Sequence, residues 1–220
     1  MNWQNILLSL PGIIIGLTVH EYCHALAAYK LGDTTAREMG RLTFNPLKHI
    51  DLIGFLFIVI AGFGWAKPVM FNPENLSRPR RDKAIIAAAG PLSNLVLALI
   101  FIALIRGWYA VLPGAYSSGN LISAIILSRP FLGFMMLLTY GAMINLGLFI
   151  FNLVPLPPLD GSHIVFSGLN LRAETERLIM KIGAPLLFII IIVQNRTDIT
   201  ILPIGKLVSA IFYFFMPRWF

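Results

Sequence analysis

Three stretches of the chain are apolar for long enough to cross a hydrocarbon core about 30 Å thick, which takes roughly 20 helical residues. The first, Asn5 to Tyr29, is interrupted only by His20, Glu21 and His24; the second, Ala84 to Ile105, and the third, Phe131 to Val154, carry no charge. Two weaker spans are expected at Ile182–Val193 and Ile199–Met216. The former is short unless Leu178 to Lys181 joins it with Lys181 snorkelling, and Pro203 should kink the latter or mark its start. Between the first two spans, the run from Leu52 to Trp65 is as apolar as a span but too short to cross, and Pro46, Pro68 and its own glycines predict a re-entrant or membrane-dipping segment. Gly40 to Asn45 alternates enough for a short strand, and Gly64 to Met70 reads as another. The pattern predicts an all-α polytopic membrane protein, a single domain over residues 1–220. It should have five to six transmembrane helices and a short membrane-associated β or re-entrant segment between the first two.

Composition agrees with a protein dissolved in lipid. Of 220 residues, 57% are hydrophobic and 12% charged, and the mean hydropathy is +0.79, which leaves too few charges to solvate a globule of this size. Cys23 is the single cysteine, so no intrachain disulfide can form. The stretch Ile6–Val19 lacks the basic start and small-residue cleavage pattern of a signal peptide and reads as a mature helix.

A net charge of +7 would suggest nucleic acid in a soluble domain, but here the basic residues gather in one interval and fit a lipid bilayer as partner, with no nucleic acid. Lys30, Arg37, Arg41, Lys48, Lys67, Arg78, Arg80, Arg81 and Lys83 lie between the first and second spans, whereas only Arg106 and Arg129 lie between the second and third. The positive-inside rule makes the first interval cytoplasmic and the N-terminus external, with Arg218 inside if both weak spans cross. Trp3, Trp65, Trp108 and Trp219 fall near the predicted boundaries, where aromatic belts sit.

His20-Glu21-Tyr22-Cys23-His24 is an H-E-x-x-H pattern inside the first span. At 100° per residue the two histidines lie one turn apart on one face, able to share an ion, with Glu21 beside them to act on water. Ionisable groups in a span are costly and are kept for a partner or a function; hydrogen bonding between helices is the competing role. A catalytic zinc site needs a third protein ligand and one open position. Cys23 would strain a single turn, so it reads as packing. Between Lys83 and Ala173 the one carboxylate is Asp160, directly after the third span and its prolines Pro155, Pro157 and Pro158. Asp160 could N-cap the next helix, but His20 to His24 lie roughly 9 to 15 Å below the cytoplasmic boundary and Asp160 emerges at that same boundary, so the three can meet.

HEYCH and NLVPLPPLDG, together with GRLTFNPLKHIDLIG, GFGWAKPV and AAAGPLSNLVLAL in that order, resemble the site-2 protease family of intramembrane zinc metalloproteases, M50. The resemblance covers most of the chain. It implies one Zn2+ held by His20, His24 and Asp160, Glu21 as catalytic base, and Asn94, in the G-P-x-x-N pattern, as a catalytic contact to substrate or oxyanion; plain hydrogen bonding between helices is an equal reading of Asn94 in an uncharged span. The implied activity is hydrolysis of peptide bonds within or near the transmembrane segment of a membrane protein substrate, as in regulated intramembrane proteolysis. The implied location is a prokaryotic cell membrane with the active site towards the cytoplasm; homo-oligomerisation stays open. The PDZ and CBS domains of some relatives, and the span that others place before the H-E-x-x-H helix, have no counterpart here.

A catalytically inactive scaffold of the same family is the nearest alternative. A metal transporter would need polar residues at successive depths, and a di-iron oxidase more histidines than His20, His24, His49 and His163. His49 reads as a headgroup-interface residue beside Lys48. Asn145 reads as packing, Asn152 belongs to the family signature, and His163 reads as structural, with support of a ligand as its other role.

Overall fold

The computed structural model describes residues 3–61, 64–118, 121–169, 171–197 and 199–216. Among these the regular elements are helical: α1 (Trp3–Lys30), α2 (Thr35–Glu38), α3 (Leu52–Ala61), α4 (Pro79–Ser118), α5 (Leu121–Ile126), α6 (Arg129–Asn152), α7 (Asp160–Gly168), α8 (Ala173–Arg196) and α9 (Ile204–Phe215). Four of them, α1, α4, α6 and α8, are long and apolar enough to cross a membrane. The fifth span expected over Ile199–Met216 shortens to the 12 residues of α9, because Pro203 sets its start; at 1.5 Å per residue that is about 18 Å, less than a hydrocarbon core. The count of five to six is therefore not reached among the described residues.

Helices also start and stop where charge obscures them. The second span begins five residues before its apolar run, with Pro79 in the first turn, a position where the missing N–H costs nothing. It then continues past Arg106 to Ser118, through Gly107 and Pro113. α8 extends the expected Ile182–Val193 back to Ala173, since its first turns carry Glu174, Glu176, Arg177 and Lys181, which hydropathy discounts.

The strands expected at Gly40–Asn45 and Gly64–Met70 do not form among the described residues. Gly40 has φ +66°, and Asn45 turns the chain by accepting from the Leu47 N–H at 3.0 Å. What remains of sheet pairing is one antiparallel bridge, Ile50 to Ala66. The apolar run itself winds into α3; its Gly62 and Phe63 lie outside the described residues, as do Arg218 and Trp219. Asp33, fully buried, ties the two ends of this interval together by accepting from Thr35 Oγ1 (2.6 Å), Asn75 Nδ2 (2.7 Å) and the Asn72 N–H (3.0 Å). Burial opposes its ionisation, but these hydrogen bonds outweigh it and hold the carboxyl below the usual carboxylate range.

α1, α4 and α6 pack on one another, α7 against α4 and α9 against α6. Ala98, Ile102 and Ile105 of α4, Leu138, Ala142 and Leu146 of α6, and Val208 and Phe212 of α9 form the main apolar core. Apolar contact with lipid offers helices little reason to associate, so close backbone approach and interhelical hydrogen bonds carry more of the specificity. Small residues every fourth position provide it: a Cβ on Gly12 would stand 2.8 Å from Gly141 Cα, and one on Gly16 2.8 Å from Asn145 Oδ1. Gly12, Gly16, His20 and His24 thus form one stripe of α1, glycines at one end and imidazoles at the other.

Gly12→Val drives two methyl groups into the α6 backbone and should cost about 1–3 kcal/mol as an overpacked interface, lowering the thermal midpoint in detergent by several degrees. Gly107→Ala is the control, since a Cβ there meets nothing within 4 Å, and should leave the midpoint where it is or raise it slightly.

Candidate metal centre

The stripe on α1 delivers His20 and His24 to a point where α4 crosses closely and α7 begins. His20 Nε2 and His24 Nε2 are 3.0 Å apart, and Asp160 Oδ2 lies 3.2 Å from the first and 3.4 Å from the second. Donors at about 2.0–2.1 Å from a tetrahedral Zn2+ stand about 3.3 Å from one another, so the triangle has the dimensions of one face of such a site. His20 and His24 are buried, and Asp160 Oδ2 is buried with no hydrogen-bond partner.

Both imidazoles have their other nitrogen committed. His24 Nδ1 lies 2.7 Å from the carbonyl oxygen of Ile86, which can only accept, so Nδ1 carries the proton. His20 Nδ1 lies 2.6 Å from Asn94 Oδ1. The orientation of that amide is fixed in turn, because Asn94 Nδ2 donates to the Gly16 carbonyl (3.1 Å) and to Asn145 Oδ1 (2.9 Å), while Asn145 Nδ2 donates to the Gly141 carbonyl (2.8 Å). In the neutral tautomers so defined, each Nε2 presents a lone pair to the other and to a carboxylate oxygen. That arrangement repels itself and suits a cation.

The sequence G-P-L-S-N on α4 explains how two helices come this near. A Cβ on Gly90 would stand 2.3 Å from His24 Nε2 and 2.7 Å from His20 Cε1, so only glycine leaves room for the imidazoles. Pro91 has no N–H to give Ala87, which loosens the ladder beside the Ile86 carbonyl that His24 uses. Asn94, one turn further on, reaches His20. Gly161 does the same for Asp160: a Cβ there would lie 2.3 Å from the Leu153 carbonyl oxygen and 2.6 Å from that of Val154, so α7 can start against the end of α6. Leu159, not Asp160, is the N-cap of α7, and the carboxylate is left for the histidines.

Glu21 stands outside this donor group and is buried, with Oε2 accepting from the Val69 N–H at 3.0 Å. His20, Glu21, His24 and Asp160 all line a cavity of about 790 Å3 whose other walls include Trp65 and Val69 from the extended segment and Leu148 and Phe151 from α6. Lys83 and His163 line it too. Burial, reinforced by Lys83, lowers the His163 pKa against the opposing pull of Asp160 and Glu176.

Asn94 is fully buried, with its carbonyl oxygen on His20 and its amide nitrogen bonded to α1 and α6, the interhelical hydrogen bonding that was the alternative to a substrate or oxyanion contact. Asn145, read as packing, is the next link behind it. Cys23 is not in the donor group. His49 is fully buried, not at a headgroup surface, with Nε2 2.7 Å from the Thr43 carbonyl oxygen. Sequence reasoning missed Gly90, though its place four residues before Asn94 put both on one face of α4.

The model of peptidase family M50 matches residues 9–190, a stretch that contains every residue of the centre. The chain belongs to peptidase family M50. Among curated relatives it is 42% identical over 156 residues to YwhC of Bacillus subtilis (strain 168), covering 70% of this chain and 65% of that protein. It is 30% identical over 176 residues to Rip2 of Mycolicibacterium smegmatis, covering 78% and 60%. Both are named as proposed zinc metalloproteases. RasP of Oceanobacillus iheyensis, named as a zinc metalloprotease, is 38% identical over 73 residues, covering 30% of this chain and 17% of that protein. The chain spans under two thirds of the length of these relatives. No solved structure matches it.

Metal analysis of the purified chain should find about one zinc, with His20→Ala or Asp160→Ala lowering occupancy and Cys23→Ala leaving it unchanged. Gly90→Ala, which touches no ion itself, should displace the imidazoles and weaken zinc, and Asn94→Ala should do so by about 10–100-fold as the support of a ligand. Retention of zinc by Asp160→Ala with loss in Cys23→Ala would mean a different donor set.

Proposed function

We propose that this chain is an intramembrane zinc metalloprotease that hydrolyses peptide bonds within or near the transmembrane segment of another membrane protein. The observation that carries the reading is the meeting of three mutually repelling donors with an anchored carboxylate, Glu21, at one apolar cavity inside a helical membrane protein. M50 membership and the names of the relatives support it. His20, His24 and Asp160 would hold the metal at the wall of the cavity. Bound there, Zn2+ supplies Lewis acidity, which acidifies water and polarises a peptide carbonyl. Glu21, fixed by the Val69 N–H, takes the proton of the attacking water and returns it to the departing amine. Asn94 keeps the proton of His20 on Nδ1, so that Nε2 stays a ligand.

A helical substrate covers its carbonyls with its own hydrogen bonds and must unwind before it can react. Gly64, Trp65, Ala66, Pro68 and Val69 line the cavity beside the metal ligands, where an unwound substrate would lie. α9 makes a fifth membrane-embedded element beside the four long helices. The basic interval between α1 and α4 faces the cytoplasm of a prokaryotic cell, and the active site opens to that side. Release of a cytoplasmic fragment by such cleavage is the step that regulated intramembrane proteolysis requires.

Glu21→Gln tests the chemistry apart from the metal. An amide cannot accept the proton, so turnover of a model transmembrane substrate should fall by several orders of magnitude, while zinc content and the thermal midpoint stay unchanged. Substrate should then remain bound in pull-downs from which the active enzyme releases products. Cleavage at the original rate by a zinc-loaded Glu21→Gln protein would remove Glu21 from the mechanism, and an active-site-intact chain that cleaves no membrane substrate would favour the scaffold.

A further inference from the structure

Arg41 is the one buried Lys or Arg of the interval between α1 and α4 among the described residues, and no carboxylate among them lies within ion-pair distance of it. It is 4% exposed. An uncompensated buried guanidinium is costly, so its partners should reveal what it is for. Nη2 donates to the carbonyl oxygens of two consecutive residues, Lys67 and Pro68, the latter at 2.8 Å. The next amide along, Val69 N–H, is the one that holds Glu21 Oε2.

The rest of the segment is built to keep that amide in place. The Lys67 N–H donates to the His49 carbonyl at 2.7 Å, Ala66 pairs with Ile50, and the fully buried His49 ring is bonded to the Thr43 carbonyl. Arg41 itself is pinned through its own N–H to the Ala36 carbonyl at 2.9 Å, at the end of α2, just beyond α1. Pro68 fixes its own φ and keeps Lys67 extended, so once the two carbonyls are held, the direction of the Val69 N–H is set. Burial pushes the guanidinium pKa down, and the charge of Glu21 acts against that push.

We propose that Arg41 is a positioning residue for the Glu21 carboxylate: it clamps the Lys67–Pro68 backbone so that the Val69 N–H fixes Glu21 Oε2 beside the metal centre. The inference rests on the proteolytic reading of the site, but the clamp is observable without turnover.

The test uses the full-length zinc-loaded chain with Arg41→Lys, Arg41→Met and Glu21→Ala. Amide hydrogen exchange at Val69 reads the clamp, zinc analysis reads the centre, and kcat and KM on a model transmembrane substrate read the consequence. Val69 exchange should accelerate about tenfold or more in Arg41→Met and in Glu21→Ala, with zinc content unchanged. The kcat of Arg41→Met should fall about 10–100-fold, the range for a misplaced catalytic group, with KM within about threefold. Arg41→Lys, which keeps a charge and a donor, should recover part of both signals. Unchanged Val69 exchange in Arg41→Met would overturn the proposal, and so would a loss of kcat matched by loss of zinc or accompanied by no rescue in Arg41→Lys. If Arg41→Met does not fold, the Arg41→Lys and Glu21→Ala exchange data decide: an unaltered Val69 amide in both sinks the clamp. An inactive wild type would defeat the proteolytic reading alone and leave the exchange comparison to judge the clamp.

Discussion

Three lone pairs meet between α1 and α7 with no hydrogen among them, and the protein around them is arranged to keep it so. The Ile86 carbonyl and the Asn94 amide hold the imidazole protons of His24 and His20 on the far side, which leaves two nitrogens and a carboxylate oxygen facing one another at 3.0–3.4 Å. In a low-dielectric interior such a cluster is unfavourable alone and favourable around a divalent cation, because neither its repulsion nor the ion's attraction is screened. Metal affinity here is therefore a product of tautomer control as much as of ligand identity.

That control depends on backbone proximity, and proximity depends on glycine. α1 presents Gly12 and Gly16 to α6 on the same stripe as its two histidines, and α4 presents Gly90 to the imidazoles themselves. The Asn94–Asn145 pair is fully buried between three helices, where it satisfies backbone carbonyls on two of them, Gly16 and Gly141. Polar groups that would be a liability in lipid thus act as interhelical links that set the depth and rotation of the metal ligands. Glu21 is served from the opposite direction, by the loop between α1 and α4, so the base and the ligands are positioned by separate parts of the fold.

What could be read in the sequence was what charge makes conspicuous. His20, Glu21 and His24 inside an apolar run, and Asp160 as the lone acid over some ninety residues, stood out because lipid tolerates so few ionisable groups, and the structure brings the three donors together. The long apolar helices were legible for the same reason. Less legible were features that hydropathy does not encode. The start of α8 lies among charges, Pro203 shortens α9, and the expected strand at Gly40–Asn45 gives way to turns because Gly40 and Asn45 serve bends. Asn94 carried a family expectation of contact with the reacting groups, yet its orientation depends on Asn145, 51 residues away, a pairing no local pattern announces. His49 and Arg41 sat in a basic stretch that reads as solvated, and only the folded loop buries them.

The account turns on a site of two imidazoles and one carboxylate around a single ion with a position to spare. X-ray absorption at the zinc edge of the purified, zinc-loaded chain tests this directly. It should give a nitrogen and oxygen shell at about 2.0–2.1 Å with the outer-shell scattering of two imidazoles and no sulfur. In Asp160→Ala the first shell should lose an oxygen while both imidazoles remain. A sulfur scatterer at about 2.3 Å, or a spectrum with one imidazole or none, would contradict the centre described here.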